Sequence, residues 1–178
     1  MKLIFNALLF CSFLLNTTHS RAQDSLKFPV PRGNPRQLFF LQRSQNTNTV
    51  VYELNIKDGV LDSIAPVHIF WIYYAEKSQK EELTSLQRQH AYGLIAIYIS
   101  NNHYELRFLT NKKHVMQLMK GPDHLFHVYD QINGKQVILS SIYLQINGGS
   151  LFPPHIEYIM TRGFDAETGT AVMEKSKP

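Results

Sequence analysis

Short apolar segments separated by turn residues run through most of this 178-residue chain. Residues 49–55 (TVVYELN) are rich in the β-branched and aromatic residues that favour strands. In residues 103–110 apolar and polar side chains alternate, which is the period of a strand with one buried face. Asp58-Gly59 and Asn133-Gly134 are dipeptides typical of two-residue hairpin turns. Because turn signals recur roughly every 8–12 residues, the pattern predicts antiparallel sheet.

The strand segments together predict a mainly β fold of about 8–10 strands, either an antiparallel closed barrel or a sandwich. Closure is favoured because a long apolar strand such as residues 94–99 would be hazardous at an exposed sheet edge. A bulge is expected at Ser140-Ser141, because the apolar residues before and after this pair are out of phase.

One short helix, over about residues 78–92, is expected to pack on the sheet. Ser78 with Glu81, and Thr84 with Gln87, have the spacing of capping boxes. Gly93 follows the segment, and glycine commonly occupies the position after the last helical residue.

The first 22 residues have the order of parts found in a secretory signal peptide. A positive start at Lys2 precedes an apolar run of about 13 residues, and Ser20 and Ala22 supply the small residues of a cleavage site. A membrane-spanning helix needs roughly 20 apolar residues, so this run is too short. We expect cleavage near Ala22, export to the periplasm or the medium, and no transmembrane span in the mature form.

Lipid attachment at Cys11 is the alternative reading of this signal. Lipoprotein signals place a small residue before the cysteine, whereas here Phe10 precedes it and the apolar run continues to Leu15. Cys11 is therefore interpreted as an ordinary apolar residue of the signal.

The mature domain is expected to contain no cysteine, because Cys11 is the only one in the chain. Thiol catalysis, zinc–thiolate sites and iron–sulfur clusters are thereby excluded. Without Lys2 and Arg21, 16 basic and 14 acidic residues remain, a net charge of +2. This net charge is small, and the sequence has no clustered Lys and Arg of the kind that binds nucleic acid. We therefore expect no nucleic-acid partner, and we expect no cofactor.

Composition divides the remaining chain into three parts. Residues 23–36 contain three prolines and form an extended Pro-rich leader. Residues 37–165 are expected to form a single β-rich domain. Residues 166–178 are expected to be either a loose tail or a terminal hairpin.

An aromatic run at residues 70–74 (FWIYY) is the most suggestive feature for a binding site. A strand with two apolar faces is either fully buried or lines a cavity, and ligand pockets are lined by aromatic side chains with a few polar groups. An arginine in such a cavity binds a carboxylate or phosphate through two hydrogen bonds. The predicted ligand-binding residues are Arg43, Trp71, Tyr73, Arg88 and Tyr92. Core packing of the aromatic residues and surface ion pairing of the arginines are the alternatives.

Motifs for catalysis and metal binding are absent from the sequence. No G-x-S-x-G segment and no phosphate-binding glycine loop occur. His124 and His127 would point to opposite faces of a strand and therefore cannot share a metal ion there. No catalytic residue and no metal ligand is predicted.

Three segments carry a resemblance to a known family: residues 34–55, residues 66–74 (PVHIFWIYY) and residues 81–93 (EELTSLQRQHAYG). Over roughly residues 34–146 the chain resembles the uncharacterised family named domain of unknown function 4833. The resemblance implies an exported bacterial protein of the Bacteroidota and implies no activity. The positions that it singles out are Gln42, Arg43, Asn48, Tyr52, Trp71, Glu82, Leu83, Thr84, Arg88, Tyr92 and Gly93.

Three functions are compatible with these observations. The leading hypothesis is a non-enzymatic protein of the cell envelope that binds a small apolar or amphipathic ligand. The second is a module that binds another envelope protein through an exposed apolar face or edge. The third is a hydrolase with a cryptic site, which would place a histidine close to an acidic residue.

Expression of the complete coding sequence in a bacterium is expected to yield an exported protein that begins at Gln23, since signal peptidase cleaves after a small residue such as Ala22. Intact-mass measurement of the periplasmic and medium fractions checks this. Ala22→Arg is expected to block cleavage, and Ala22→Ser, which keeps a small residue, is the control. A mass that retains Met1, or a lipid on Cys11, would contradict the prediction.

Overall fold

The computed structural model describes residues 28–149 and 154–178. The expected signal peptide, with Cys11, and the first part of the leader lie outside these residues. In the described part, no helix has both the length and the apolar character needed to cross a membrane.

Thirteen strands make up most of the described chain. They are β1 (Gln37–Arg43), β2 (Asn46–Leu54), β3 (Ile56–Lys57), β4 (Val60–Leu61), β5 (Val67–Tyr73), β6 (Gln79–Glu82), β7 (Leu94–Ser100), β8 (His103–Phe108), β9 (Asn111–Lys120), β10 (Phe126–Ile132), β11 (Lys135–Gly149), β12 (Pro154–Asp165) and β13 (Ala171–Ser176). A 3₁₀ turn (Tyr74–Glu76) follows β5, and a short helix, α1 (Ser85–Gln87), continues into a π turn (Arg88–Tyr92).

Eleven of these strands form one curled sheet. Its main path runs β6-β5-β2-β1-β11-β10-β9-β8-β7, and β12 and β13 continue from β11. Neighbours pair antiparallel except β1 with β11, which run parallel. The predicted mainly β fold is confirmed, and it takes the form of a half-barrel. The favoured closure is not seen, because within the described residues no pairing joins β6 to β7. The strand count also exceeds the expected one, partly because β3 and β4 form a separate two-residue hairpin.

The curled sheet has two halves, one formed by β6, β5, β2 and β1 and the other by β10, β9, β8 and β7. One cluster of buried apolar side chains connects them. Phe39 of β1 stacks on Tyr52 of β2 with ring centroids 4.3 Å apart. Phe108 of β8 meets both rings edge-on, at centroid distances of 6.3 and 6.0 Å. Such aromatic pairs contribute about 0.5–1.5 kcal/mol each beyond the area that they bury. The core therefore lies between β1 and β2 on one side and β8 on the other.

The longest strand, β11, belongs to both halves of the sheet. It pairs with β12 along one edge. On the other edge it pairs first with β10, up to Ile138, and then with β1 from Ser141 onward. The register with β12 shifts between Leu139 and Ser141, which confirms the predicted bulge. A bulge bends a strand and increases its twist, so it lets β11 leave one half and enter the other.

The short helix is confirmed, but its predicted start at residue 78 was wrong. Gln79–Glu82 is a strand paired with β5, and Ser78 has a left-handed φ of 62°, so its expected capping box does not form. Pairing along β5 outweighs the helical propensity of these four residues. The second capping box is present: Gln87 N–H donates to the Thr84 hydroxyl at 3.2 Å, and Thr84 N–H donates to the Gln87 side chain at 3.0 Å.

Gly93 follows the helical segment as expected, but its backbone is extended, with φ −66° and ψ 152°. Glycine is needed there for space, because a Cβ atom would meet the Arg88 carbonyl and the Leu109 side chain. By contrast, the two predicted hairpin turns are confirmed by left-handed backbone at Asp58-Gly59 and Asn133-Gly134.

The described part of the leader, residues 28–36, has no helix or strand and lies against the sheet. Phe28 contacts the ring of Tyr143 at a centroid distance of 5.5 Å. The Gln42 amide donates to the Pro29 carbonyl at 2.9 Å and to the Thr49 hydroxyl at 3.0 Å. These contacts bury two polar side chains of β1 and β2 with their hydrogen bonds satisfied.

Gly163→Ala is expected to lower the free energy of unfolding by about 1–3 kcal/mol, the usual cost of overpacking. Gly163 lies opposite the β11 bulge, and a Cβ atom there would meet the Ile138 carbonyl and the Val137 side chain. Urea denaturation measures the change. Gly33→Ala is the control, because its Cβ atom would have no neighbour within 4 Å. Equal effects of the two substitutions would contradict this account of the bulge.

Candidate functional site

Arg43 meets two of the predicted aromatic residues at one end of the core. Its guanidinium carbon lies 4.9 Å from the centroid of the Trp71 ring and 5.8 Å from that of Tyr92. Its Nη1 donates a hydrogen bond to the Tyr92 hydroxyl at 2.7 Å. A cation over aromatic faces at such distances is attracted to their π electrons. The structure thus brings Arg43, Trp71 and Tyr92 into one group.

The aromatic rings of this group also contact each other. Trp71 and Tyr92 meet edge-on with centroids 5.1 Å apart, and Tyr73 lies 5.7 Å from Trp71. Trp71 and Tyr73 share one face of β5, as the strand period predicts. Trp71 and Tyr92 are buried, whereas Tyr73 and Arg43 are half-buried. We call Arg43, Trp71, Tyr73 and Tyr92 the arginine–aromatic cluster; whether it binds a ligand stays a prediction.

Strand register explains why residues so far apart in sequence meet here. Leu41 of β1 and Trp71 of β5 are both paired with Val50 of the strand between them. Arg43 is two residues beyond Leu41, where the β1–β2 register shifts and β1 ends. Tyr92 reaches the same end of the core from the helical segment that follows β6.

Two buried polar atoms on β1 and β2 have no hydrogen-bond partner in the described part of the protein: Nε of Arg43 and Oδ1 of Asn48. Asn48 lies in the stretch of β2 where the pairing with β1 changes register, between the pairs Gln42–Thr49 and Arg43–Asn46. An unsatisfied buried polar group costs about 1–3 kcal/mol. The Arg43 atom is a donor and the Asn48 atom is an acceptor.

Two further side chains hold the cluster in place. The Trp71 indole N–H donates to Oε1 of Gln87 at 3.3 Å, which ties the ring to the capping box of α1. The buried Tyr52 hydroxyl donates to the Tyr92 carbonyl at 3.0 Å. Gln87 was missed as a site residue from the sequence. The capping-box spacing of Thr84 and Gln87 was an available signal, because it places the Gln87 side chain at the start of the helix.

In the arginine–aromatic cluster the guanidinium of Arg43 is the charged group, and the aromatic side chains around it are neutral. Burial raises the pKa of Tyr92, although the adjacent Arg43 charge opposes that rise. Burial and, to a smaller degree, Glu81 and Glu76 raise the pKa of Tyr73. Both phenols therefore keep their protons at neutral pH. Among the described residues no carboxylate lies within 4.0 Å of the Arg43 nitrogens, so its charge is free to pair with an anion.

The fifth predicted residue, Arg88, lies in a different environment. Its Nη2 is 3.6 Å from a carboxylate oxygen of Glu82, and both side chains are exposed. The same carboxylate contacts His68 at 2.6 Å, and the other ring nitrogen of His68 lies 3.3 Å from Glu53. Glu53, His68 and Glu82 line a surface pocket of about 150 Å³ together with Phe70, Lys80 and Glu81. Exposed ion pairs contribute about 0–1 kcal/mol, so Arg88 has the features of a surface pair.

In the part of the chain that the structure describes, three histidines lie beside carboxylates, His68, His114 and His127, and of these only His114 is paired with a buried acid. His114 Nε2 lies 2.9 Å from a carboxylate oxygen of the buried Asp130. In the described residues no serine hydroxyl hydrogen-bonds to His114, and no group of three or more side chains is arranged to hold a metal ion. The pair alone therefore lacks the nucleophile that a serine hydrolase requires.

Stability is expected to depend on pH through His114. The hydrogen bond to Asp130 raises the pKa of this imidazole above its ordinary value of 6.5. The charged pair therefore stabilises the fold fully below pH 6.5, and this contribution is lost as pH rises through the folded-state pKa. The difference in unfolding free energy between wild type and His114→Gln should be larger at pH 5.5 than at pH 9, as measured by urea denaturation.

His90→Gln is the control, because His90 is exposed on the helical segment. Its effect should stay below about 0.5 kcal/mol, as for most surface substitutions. If the difference between wild type and His114→Gln does not change between the two pH values, the pair does not stabilise the fold.

Comparison with known families gives one match. The model of a family described as Domain of unknown function (DUF4833) matches residues 39–175. The matched region begins within β1 and ends within β13, so it covers part or all of every strand of the curled sheet. No curated protein and no solved structure is significantly similar to the chain.

Proposed function

This chain belongs to the DUF4833 family of domains of unknown function, and we propose that it is an exported, non-enzymatic protein that binds a small amphipathic ligand. The ligand's polar head would be an anionic group that pairs with Arg43. Its apolar part would contact the aromatic side chains of the arginine–aromatic cluster.

The observation that carries this proposal is the incomplete hydrogen bonding of Arg43. Nη1 is held by the Tyr92 hydroxyl, whereas the buried Nε has no partner in the described residues. A carboxylate or phosphate accepts hydrogen bonds from adjacent guanidinium nitrogens, and such charge-assisted bonds are among the strongest in proteins.

Access and preorganisation support the same proposal. Arg43 and Tyr73 are half-buried, so part of the cluster faces solvent. Trp71 is held by Gln87, and Tyr92 is held by Arg43, so the rings are already oriented before binding. A rigid site loses less conformational entropy when the ligand binds.

The cell envelope is the proposed location. The signal-peptide features of residues 1–22 support export. The family resemblance to exported proteins of the Bacteroidota agrees with this place. An envelope protein that recognises amphipathic molecules would encounter them as lipids, lipid fragments or small acids.

Octanoate and octylamine, which share one alkyl chain and carry opposite charges, test the proposed anionic head group. Octanoate is expected to bind more tightly than octylamine in isothermal titration calorimetry, because Arg43 would pair with its carboxylate. Arg43→Gln should weaken octanoate binding at least about tenfold, the effect of losing a charged hydrogen bond.

Arg88→Gln is the matched control, since it removes an arginine from the exposed pair with Glu82. It should leave octanoate binding unchanged. Native mass spectrometry of wild-type protein purified from its own envelope would identify a resident ligand. Binding that is equal for both probes, or equally reduced by both substitutions, would count against the proposal.

A further inference from the structure

Strand β7 ends the main path of the sheet with an apolar, uncharged edge. Its seven residues, LIAIYIS, contain no charge, no proline and no glycine. The edge that does not face β8 has no strand partner among the described residues. Ile97, Tyr98 and Ile99 are 44, 60 and 51% exposed, although such side chains are usually buried.

The other edge strands of the sheet, β6 and β13, carry charged side chains, which is typical of protected edges. Strand β6 consists of the exposed residues QKEE, of which three are charged. Strand β13 contains Glu174 and Lys175. Charged side chains on edge strands prevent pairing with another chain, and β7 has none. The contrast within one sheet indicates that the β7 edge is available for pairing.

We propose that β7 pairs antiparallel with β7 of a second copy of this chain and so forms a two-fold symmetric dimer with a continuous sheet. Alternate residues of an edge strand direct their N–H and C=O groups outward, and a second β7 offers the complementary groups. This inference is independent of the proposed ligand binding.

Charge favours a second copy as the partner. A two-fold axis places each residue opposite or near its own counterpart, so a charged edge strand would bring like charges together. Strand β7 has no charge to repel. On the neighbouring β8, Glu105 and Arg107 neutralise each other, since Arg107 Nε lies 2.6 Å from a Glu105 oxygen. The edge is therefore electrostatically compatible with itself.

The side-chain pattern of β7 is also self-complementary. Ile95, Ile97 and Ile99 lie on one face of the strand, and Ala96 and Tyr98 lie on the other. In an antiparallel pair centred on Ile97, isoleucines of the two copies would meet on one face. On the other face, Tyr98 of each copy would approach Ala96 of its partner. Such cross-strand apolar pairs stabilise antiparallel sheets.

Sedimentation equilibrium of the protein expressed from its complete coding sequence tests the dimer. Wild type is expected to be dimeric in the micromolar range. Ile97→Lys should raise the dimer dissociation constant at least about tenfold, because it places two positive charges across the axis. Gln79→Lys, the same change in charge on the β6 edge, should leave the dissociation constant unchanged.

Hydrogen exchange provides a readout that does not require a variant. The outward amides of β7 should be protected in concentrated wild-type protein and lose protection on dilution, while the β6 amides should not change. A wild-type protein that stays monomeric at about 100 µM, or a folded Ile97→Lys protein that stays dimeric, would overturn the proposal. If Ile97→Lys does not fold, Ile99→Lys and the exchange of wild-type β7 amides decide the question.

Discussion

Pairing of β11 with strands from both halves of the sheet is the constraint on which the rest of this structure depends. One edge of β11 is covered by β12, and the other is shared by β10 and β1. Strand β10 pairs with the first part of β11, and β1 pairs with the next part, in parallel. As a result, β1 and β2 pack on the same core as β8 and β9. The contact of Phe108 with Phe39 and Tyr52 follows from this arrangement.

The candidate site lies where this arrangement ends. Arg43 is the last residue of β1 and is paired with Leu144 of β11. Beyond it, Ser44 is held to β11 through a hydrogen bond from its hydroxyl to the Ile146 carbonyl at 3.1 Å. The polar end of β1 is therefore fixed on one side by β11 and closed on the other by the helical segment that carries Tyr92. A cation is held at the rim of an apolar core, which is an arrangement suited to an amphipathic molecule.

The two proposals use different parts of the fold and need not compete. The arginine–aromatic cluster lies at the end of β1 and β5, whereas the proposed dimer edge is the last strand on the far end of the sheet path. The helical segment joins the charged edge strand β6 to the uncharged edge strand β7. The β6 edge is thus protected by its charged residues, and the β7 edge, which has none, is the one proposed to pair with a second copy.

Local patterns in the sequence were sufficient for the mainly β class of this protein and for several of its strands and turns. Alternation identified β8, the Asp58-Gly59 and Asn133-Gly134 dipeptides identified turns, and the change of phase at Ser140 identified the bulge. Each depends on neighbouring residues alone, because backbone preference and side-chain period are local properties. Tertiary structure decided the rest. Residues 79–82 became a strand because β5 offered them a partner, and Arg43 met Trp71 and Tyr92 because strand register, which depends on distant residues, brought the ends of β1 and β5 to one place.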